Sequence, residues 1–498
     1  MYIAMTPYNQ IQSYIQQRQF QVAHHALVAR INTNANDHQA YALLAELNMT
    51  LGNLNKAQKI YDKCLSLFPC ALYSLSAAKL ALFTQSPSAA KRYIQHLLGC
   101  TQLSGSEHDT LANILLRLNQ YTDAGWHFNR AYTHAPHSPE IAINYAIHLK
   151  MSGELAQART LLASLVQANS SNAKCQLAYS ELAPVELAPT RITQLATEIT
   201  AQTTPLALQR LHHALALEYE KQENYPKAWQ SFIASKQAIS AEISYSPKQM
   251  TDYFQALSKL LDKPIEFAPE RSLAPIFVVG LPRSGTSLME QILAQLLLQP
   301  LGETSILPQA LRFCHDYNSN IQHLSRAYEE ANAIEQYRLF SAQSVDGDKR
   351  FIDKQPFHFF FIDLLAKAFP RAKFVVMKRD RTDTCIANFR QLYQTSSPFH
   401  CYSYRIQDIQ TMYDDTYAFL QKATQKHPTQ IKLVNYESLV EAPRLTMQSL
   451  CHFLELDWQD NALHFYKQGY YSATASKMQI RQPLNNSSVG KYRNTYPI

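Results

Sequence analysis

The sequence predicts an all-α solenoid of stacked helical hairpins, followed by an α/β domain with a central parallel sheet. Two observations lead to this prediction. In the first half, small residues recur about every 34 residues, which is typical of helical-hairpin arrays. In the second half, short apolar runs alternate with amphipathic segments, which indicates strands buried on both faces of a sheet. We therefore expect a repeat array over residues 1–246, a linker over 247–269 and the α/β domain over 270–498.

The repeat period is set by alanines at near-constant spacing, whose last step spans about two periods: Ala23, Ala57, Ala90, Ala124, Ala158 and Ala228. In the best copy, residues 41–69, Gly52 permits the turn between two helices, Ala57 allows their close approach and Pro69 ends the pair. These residues resemble the tetratricopeptide repeat family over about residues 8–240. The resemblance implies a concave groove that commonly holds peptides, although an array that serves only as a scaffold or as a dimer surface is an equal alternative.

The composition is that of a folded globular protein, with 46% hydrophobic and 17% charged residues in 498 and a formal net charge of +7. No basic tail is present, which argues against a nucleic-acid partner. No stretch reaches the roughly 18 apolar residues of a membrane span, and the N-terminus does not have the pattern of a signal peptide. The eight cysteines form no CxxC pair, which favours reduced thiols without a zinc site. We therefore predict a cytoplasmic protein.

The most informative motif is GLPRSGTS, residues 280–287, which overlaps the end of the apolar run 276–281 and precedes a predicted helix. Glycines let the backbone curl, and successive N–H groups at a helix start bind phosphate. A nucleoside-triphosphate loop carries a lysine after its second glycine, whereas here Thr286 follows Gly285 and Arg283 supplies the cation. A phosphoryl-transferring kinase is therefore an alternative supported only by the glycine-rich loop.

A second motif, KFVVMKRDRTDTCIANF at residues 373–389, follows at the expected distance with Arg379 at its strand end. Together the two motifs resemble the sulfotransferase superfamily, which uses 3′-phosphoadenosine 5′-phosphosulfate (PAPS) as sulfonate donor. Residues 353–380, 434–440 and 474–492 resemble the bacterial sulfotransferases with tetratricopeptide repeats that are related to tyrosylprotein sulfotransferase. The resemblance implies PAPS as cosubstrate, a P-loop-like fold and no metal.

The resemblance also implies the donor-binding residues. Arg379 matches the anchor of the 3′-phosphate, but the family's serine eight residues later is Ala387, so one hydroxyl contact is lost. Asn388 and Thr384 are the candidate substitutes. The implied set is Pro282, Arg283, Ser284, Gly285, Thr286, Ser287, Arg379, Tyr436, Arg481 and Lys491.

Four residues match the catalytic positions of the family. Glu303 stands where the tyrosylprotein sulfotransferases carry their base, and Lys354 matches the lysine that stabilises the leaving oxygen. Arg283 would share the sulfonate charge, and Ser476 matches a serine that hydrogen-bonds at the reacting centre. His358 is an alternative base, but its place in the aromatic run favours a core position.

Together these features predict transfer of the sulfonyl group of PAPS to a hydroxyl. The favoured acceptor is the hydroxyl of a protein or peptide tyrosine held by the repeat groove. A glycan or small alcohol is the alternative acceptor. A repeat scaffold with a weak or inactive nucleotide-binding domain is the alternative function, motivated by Ala387. A homodimer is a further expectation.

Overall fold

The structure is a computed structural model whose description covers residues 7–84, 87–345, 350–468, 482–493 and 495–496. The chain divides into two compact units, Met1–Leu149 and Lys150–Ile498. Within the described ranges, none of the helices combines the length and the apolar character that crossing a membrane requires.

The first unit consists of antiparallel helical pairs. Gly52 adopts φ +77° in the turn between two helices, a left-handed conformation that glycine tolerates best. The periodic alanines Ala23, Ala57, Ala90 and Ala124 are fully buried, as the close approach of paired helices requires. The helices are α1 (Pro7–Gln16), α2 (Phe20–Thr33), α3 (His38–Thr50), α4 (Leu54–Leu67), α5 (Ala71–Phe83), α6 (Pro87–Ile94), α7 (Gly105–Arg117), α8 (Tyr121–His134) and α9 (Pro139–Ser152), the last of which contains the unit boundary.

Further helical pairs begin the second unit. Ala158 and Ala228 are fully buried, so the same packing rule continues. The helices here are α10 (Leu155–Ala168), α11 (Ala173–Ser180), α12 (Ala188–Ala201), α13 (Pro205–Lys221), α14 (Tyr225–Gln237) and α15 (Pro247–Leu260). Helix α15 lies in the predicted linker and buries Tyr253 and Phe254 against aromatic rings of the following domain. The domain limits at 246 and 270 stay a prediction.

A five-stranded parallel sheet forms the centre of the α/β domain, with strand order β2-β3-β1-β4-β5. The strands are β1 (Ile276–Val279), β2 (Gln299–Pro300), β3 (Phe351–Asp353), β4 (Lys373–Lys378) and β5 (Ile431–Asn435). The central strand β1 pairs with β4 in the register Phe277–Phe374 and Val279–Val376. Parallel strands end at the same edge of the sheet, so the segments that follow β1, β3, β4 and β5 lie close together.

Helices cover both faces of this sheet. Phe277 and Val279 face a core that includes the buried 3₁₀ helix Pro356–Phe361, whereas Ile276 and Val278 face a core that includes Met289. The covering helices are α16 (Thr286–Ala294), α17 (Ile306–Ala310), α18 (Tyr317–Arg326), α19 (Asn332–Ser344), α20 (Ile362–Ala368), α21 (Arg381–Phe389), α22 (Ile406–Lys426), α23 (Tyr436–Glu441) and α24 (Pro443–Leu454). The predicted fold class, a helical repeat region followed by an α/β domain with a parallel sheet, is confirmed.

Candidate functional site

The loop between β1 and α16 is held in a conformation that two glycines permit. Gly280 has φ +141°, and a Cβ placed on it would lie 2.4 Å from the carbonyl oxygen of Met377 on β4. Gly285 has φ +101°, and its Cβ would lie 2.7 Å from the Tyr436 ring. Arg283 adopts φ +71° between them. Because the loop ends at the first residue of α16, its amides converge on an anion-binding position.

A cavity of about 160 Å³ opens beside this loop. Five of the residues implied by the resemblance line it: Arg283, Gly285, Arg379, Tyr436 and Lys491. The remaining lining residues are Leu288, Val440, Phe465, Gln482, Pro483, Leu484, Asn485, Ser487 and Ser488. Three cations and two aromatic rings therefore line one space, a combination suited to an anionic aromatic ligand.

Arg379 is fixed at the edge of the cavity. Its guanidinium donates to the backbone oxygens of Arg283, at 3.3 Å, and of Ser488, at 2.5 Å, and it lies 4.9 Å from the Tyr436 ring centre. Asp383 lies 3.6 Å away. The Nε atom of Arg379 is buried and has no hydrogen-bond partner among the described residues. A buried charged donor left open in this way suits a phosphate oxygen, which accepts from guanidinium groups.

The two residues considered as substitutes for the serine that is replaced by Ala387 are both engaged elsewhere. Asn388 donates to the carbonyl oxygens of Pro282, at 2.7 Å, and of Thr384, at 2.9 Å, so both amide hydrogens are used. Thr384 points its hydroxyl at the carbonyl oxygen of Arg379, at 3.4 Å. Asn388 instead stabilises the phosphate loop, because its side-chain amide donates to the carbonyl oxygen of Pro282 in that loop.

The other loop residues implied by the resemblance do not line the cavity. Ser284 is fully buried, and the side chains of Thr286 and Ser287 are also buried at the start of α16. None of these three side chains is among the residues lining the cavity, and neither is Pro282. Their expected contribution is therefore through main-chain groups.

Lys354 and Glu303 form an ion pair at the ends of β3 and β2. The Lys354 Nζ lies 2.5 Å from a carboxylate oxygen of Glu303 and 3.8 Å from one of Glu290 on α16. Lys354 is 1% exposed and Glu303 is 47% exposed. The backbone N–H of Lys354 donates a hydrogen bond to the carbonyl oxygen of Gly302, at 3.1 Å. This bond joins the segment after β3 to the segment after β2. The lysine is therefore a fixed buried cation, and the carboxylate is open to an incoming ligand.

Two aromatic residues, not anticipated from the sequence, lie near Arg283 and Glu303. Tyr393 stacks on His400 with ring centres 4.2 Å apart, and its hydroxyl donates to the side-chain oxygen of Asn388 at 3.2 Å. Burial raises the pKa of Tyr393, which Arg283 lowers and Glu303 raises. The charges of Arg283 and Glu303 thus both influence the Tyr393 hydroxyl. No local pattern in the sequence marks this pair.

Glu290 was also not predicted as a site residue. The sequence does contain an indication, because Glu290 is a carboxylate among the apolar residues of α16. Burial raises its pKa to about 7, against the influence of Lys354. His358, the alternative base, is fully buried, and burial lowers its pKa to about 3. A neutral core histidine fits that environment. Ser476 and Arg481 lie outside the described residues.

Asp353, next to Lys354 in sequence, is fully buried and accepts hydrogen bonds from Thr304 and Tyr337, each at 2.8 Å. Burial raises its pKa from 3.8 to about 7. Because the folded state keeps this proton while the unfolded state loses it, the free energy of unfolding falls as pH rises from about 4 to about 7.

Asp353→Asn is therefore expected to be more thermally stable than the native protein at pH 8, by a few °C in Tm, with a much smaller difference at pH 5. The amide oxygen of asparagine can still accept from Thr304 and Tyr337. Melting curves of both proteins at the two pH values check this. A Tm difference that does not change with pH would show that Asp353 is not protonated in the folded state.

No group of three or more His, Cys, Asp or Glu side chains that could hold a metal ion occurs within the described ranges. The charges facing the cavity are those of arginine and lysine, which bind anions directly.

Comparisons with known proteins find similarities in both parts of the chain. Residues 275–460 match the model of a sulfotransferase family, and residues 38–69 and 111–182 match models of the tetratricopeptide repeat. The chain is 28% identical to protein-tyrosine sulfotransferase 1 of Danio rerio over 254 residues. The matched region covers 47% of this chain and 69% of that protein. Protein-tyrosine sulfotransferase A of Caenorhabditis elegans is 26% identical over 243 residues, covering 45% and 62%.

A longer match is an uncharacterized protein of Aquifex aeolicus, 28% identical over 368 residues, which cover 70% of this chain and 47% of that protein. The chain thus spans about half the length of this relative. Among solved structures, the sulfotransferase domain of the Synechococcus PCC 7002 olefin synthase matches 47% of this chain and 93% of its own, at 18% identity and a TM-score of 0.35.

Proposed function

We propose that the protein transfers the sulfonyl group of PAPS to a hydroxyl, because residues 275–460 match the model of a sulfotransferase family and other residues match models of the tetratricopeptide repeat. The observation that carries the proposal is the cavity beside the phosphate loop, where Arg283, Arg379, Tyr436 and Lys491 converge. The loop amides and Arg283 take the 5′-phosphosulfate, and Arg379 takes the 3′-phosphate through its open Nε. Tyr436 and Lys491 line the remaining wall. In this proposal, Ser476 and Arg481 keep the roles that the resemblance implies.

The chemistry needs a base, a cation for the leaving group and an aligned acceptor. Glu303 accepts the proton of the acceptor hydroxyl, whose oxygen forms a bond to sulfur. The bond between sulfur and the phosphate oxygen breaks, and adenosine 3′,5′-bisphosphate leaves with that electron pair. Lys354, buried and 2.5 Å from Glu303, stabilises the negative charge on the leaving oxygen, while Arg283 stabilises the sulfonate.

The contact between Glu303 and Lys354 also prepares the base. The Lys354 ammonium lies 2.5 Å from a Glu303 carboxylate oxygen and fixes the position of that carboxylate. Burial lowers the pKa of Lys354, but the carboxylates of Glu303 and Glu290 outweigh burial and raise the pKa above its ordinary value, so the lysine carries its charge at neutral pH. The same pair thus provides both the proton acceptor and the cation for the leaving group.

For the acceptor, a protein or peptide tyrosine is proposed. Two relatives named protein-tyrosine sulfotransferase match about half of the chain, and the tetratricopeptide repeats in front of the domain are of a kind that commonly binds peptides. A glycan or a small alcohol is the second candidate, because the half-exposed Glu303 does not by itself select an aromatic hydroxyl. A cytoplasmic location and a homodimer stay predictions.

The test is transfer of labelled sulfonate from PAPS to three acceptors: a tyrosine peptide with flanking acidic residues, the same peptide with phenylalanine in place of tyrosine, and an oligosaccharide. The proposal expects labelling of the tyrosine peptide alone. Labelling of the oligosaccharide alone would reject the acceptor and keep the enzyme. Absence of transfer to all three and to a cell lysate, with intact nucleotide binding, would favour the scaffold alternative.

Arg379→Ala is expected to weaken binding of adenosine 3′,5′-bisphosphate by about 100-fold, because a charge-assisted contact to phosphate is lost in a buried site. The effect on adenosine 5′-monophosphate, which lacks the 3′-phosphate, should be at most a few-fold. Calorimetric titration of both nucleotides measures the difference. Arg371→Ala is the control, since Arg371 is exposed and lies outside the residues lining the cavity. If Arg379→Ala lost the same factor in affinity for both nucleotides, Arg379 would not be a ligand of the 3′-phosphate.

A further inference from the structure

One wall of the donor cavity comes from the C-terminal segment, defined here as residues 482–493 with 495 and 496. Half of the residues that line the cavity belong to this segment, from Gln482 to Lys491. The segment contains no helix or strand of its own in the described ranges. Its position over the cavity therefore depends on contacts with other parts of the chain.

The first anchor is on α21, next to the donor site. Asp383 is fully buried, and its carboxylate accepts from the backbone N–H groups of Gly490, at 2.7 Å, and of Tyr492, at 3.2 Å. Arg379 donates to the Ser488 oxygen. These bonds fix the middle of the segment, because backbone groups that bond to a buried carboxylate cannot move without losing a charge-assisted contact.

The second anchor comes from the helical pair that precedes the α/β domain. Glu220 on α13 accepts hydrogen bonds from the Arg390 guanidinium and from the Tyr496 hydroxyl. Arg390 in turn donates to the Tyr492 hydroxyl at 2.5 Å. On α14, Trp229 contacts the Tyr496 ring with centres 5.1 Å apart. The end of the segment is thus held by residues more than 250 positions earlier in the sequence.

We propose that Glu220 is a positioning residue for donor binding, which acts through Arg390, Tyr492 and Tyr496 to hold the C-terminal segment as a wall of the donor cavity. The helical pair α13–α14 is then a structural part of the nucleotide site, although it lies in the region predicted as repeats. A segment held in place before binding costs less ordering entropy when the nucleotide arrives. This inference rests on the proposed function only where nucleotide binding is measured.

Helix α13 offers a matched control. Glu218 lies two residues before Glu220, is fully buried, and pairs with Lys221 at 2.9 Å and with Arg191 at 3.5 Å. Its partners belong to α12 and α13, and among the described residues it has no hydrogen bond or ion pair with the C-terminal segment. Glu218→Gln should therefore lower Tm through loss of a buried ion pair without changing the cavity.

The experiment compares Glu220→Gln, Tyr496→Phe and Glu218→Gln with the native protein. Adenosine 3′,5′-bisphosphate is titrated by calorimetry, Tm is recorded, and amide hydrogen exchange is followed in residues 487–493. We expect Glu220→Gln to weaken nucleotide binding by about tenfold and to speed exchange of Gly490 and Tyr492 in the free protein. Tyr496→Phe should give a smaller effect of the same kind, and it tests the proposal if Glu220→Gln does not fold.

Glu218→Gln should leave binding and exchange in the segment at native values even where its Tm is lower. The positioning role is overturned if Glu218→Gln and Glu220→Gln weaken binding equally, or if Glu220→Gln and Tyr496→Phe leave binding and exchange unchanged. If the native protein does not bind the nucleotide, the proposed function fails. The exchange of Gly490 and Tyr492 then decides the inference about Glu220 independently.

Discussion

Glu303→Gln is expected to lower kcat by about 10²–10⁴-fold, because the variant cannot accept the acceptor's proton. The change is nearly isosteric, and the amide oxygen of glutamine can still accept from the Lys354 ammonium, which lies 2.5 Å from the native carboxylate. Binding of adenosine 3′,5′-bisphosphate should therefore stay within about threefold of native. Steady-state transfer assays and calorimetry on the same preparation measure the two effects.

The matched control for this variant is Glu441→Gln, which changes an exposed glutamate in the same domain. It should have native activity and native nucleotide affinity. Native turnover in Glu303→Gln would exclude the carboxylate as the base. Loss of nucleotide affinity in parallel with turnover would instead assign Glu303 to donor binding.

Lys354→Met is expected to lower kcat by about 10²–10³-fold, because the leaving oxygen loses a buried cation that stabilises its developing charge. Methionine fills most of the volume that the lysine stem occupies, so the core around β3 is retained. The loss of the ammonium removes a favourable charge from Glu290, and the pKa of that buried carboxyl should rise above its present value of about 7.

The double variant separates a joint role from two independent ones. If Glu303 and Lys354 act in one step, Glu303→Gln combined with Lys354→Met should be slower than the worse single variant by less than about tenfold. Losses that multiply fully would contradict a shared step. Lys354→Arg, which keeps the charge, should recover part of the activity of Lys354→Met, and equal activity of the two would show that charge is not the property required.

Local patterns were sufficient to predict the main elements of the fold. The alanine period placed buried residues at the contacts between paired helices, and the three apolar runs at 276, 373 and 431 correspond to β1, β4 and β5. Strands β2 and β3 have two and three residues, which is too short for a periodic signal. They exist because neighbouring strands supply their hydrogen bonds, and sequence periodicity does not report that.

Candidate site residues could be predicted where they belong to a sequence motif. Contacts between segments that are distant in the sequence could not be predicted. Arg283, Arg379, Tyr436 and Lys491, which were assigned to donor binding from the sequence, line one cavity, and their role in donor binding stays a prediction. Glu220 and Arg390, by contrast, are 170 positions apart, and nothing near either residue indicates the other. Asn388 shows the same limit, since its role in holding the loop carbonyl of Pro282 depends on a contact between two elements.

The most direct measurement is a calorimetric titration of the native protein with adenosine 3′,5′-bisphosphate in the presence of a metal chelator, set beside adenosine 5′-monophosphate. The proposed donor site predicts saturable binding at one site per chain, unaffected by the chelator, with the monophosphate at least about tenfold weaker because one phosphate contact is missing. No saturable binding of the bisphosphate, or equal affinity for the two nucleotides, would contradict it.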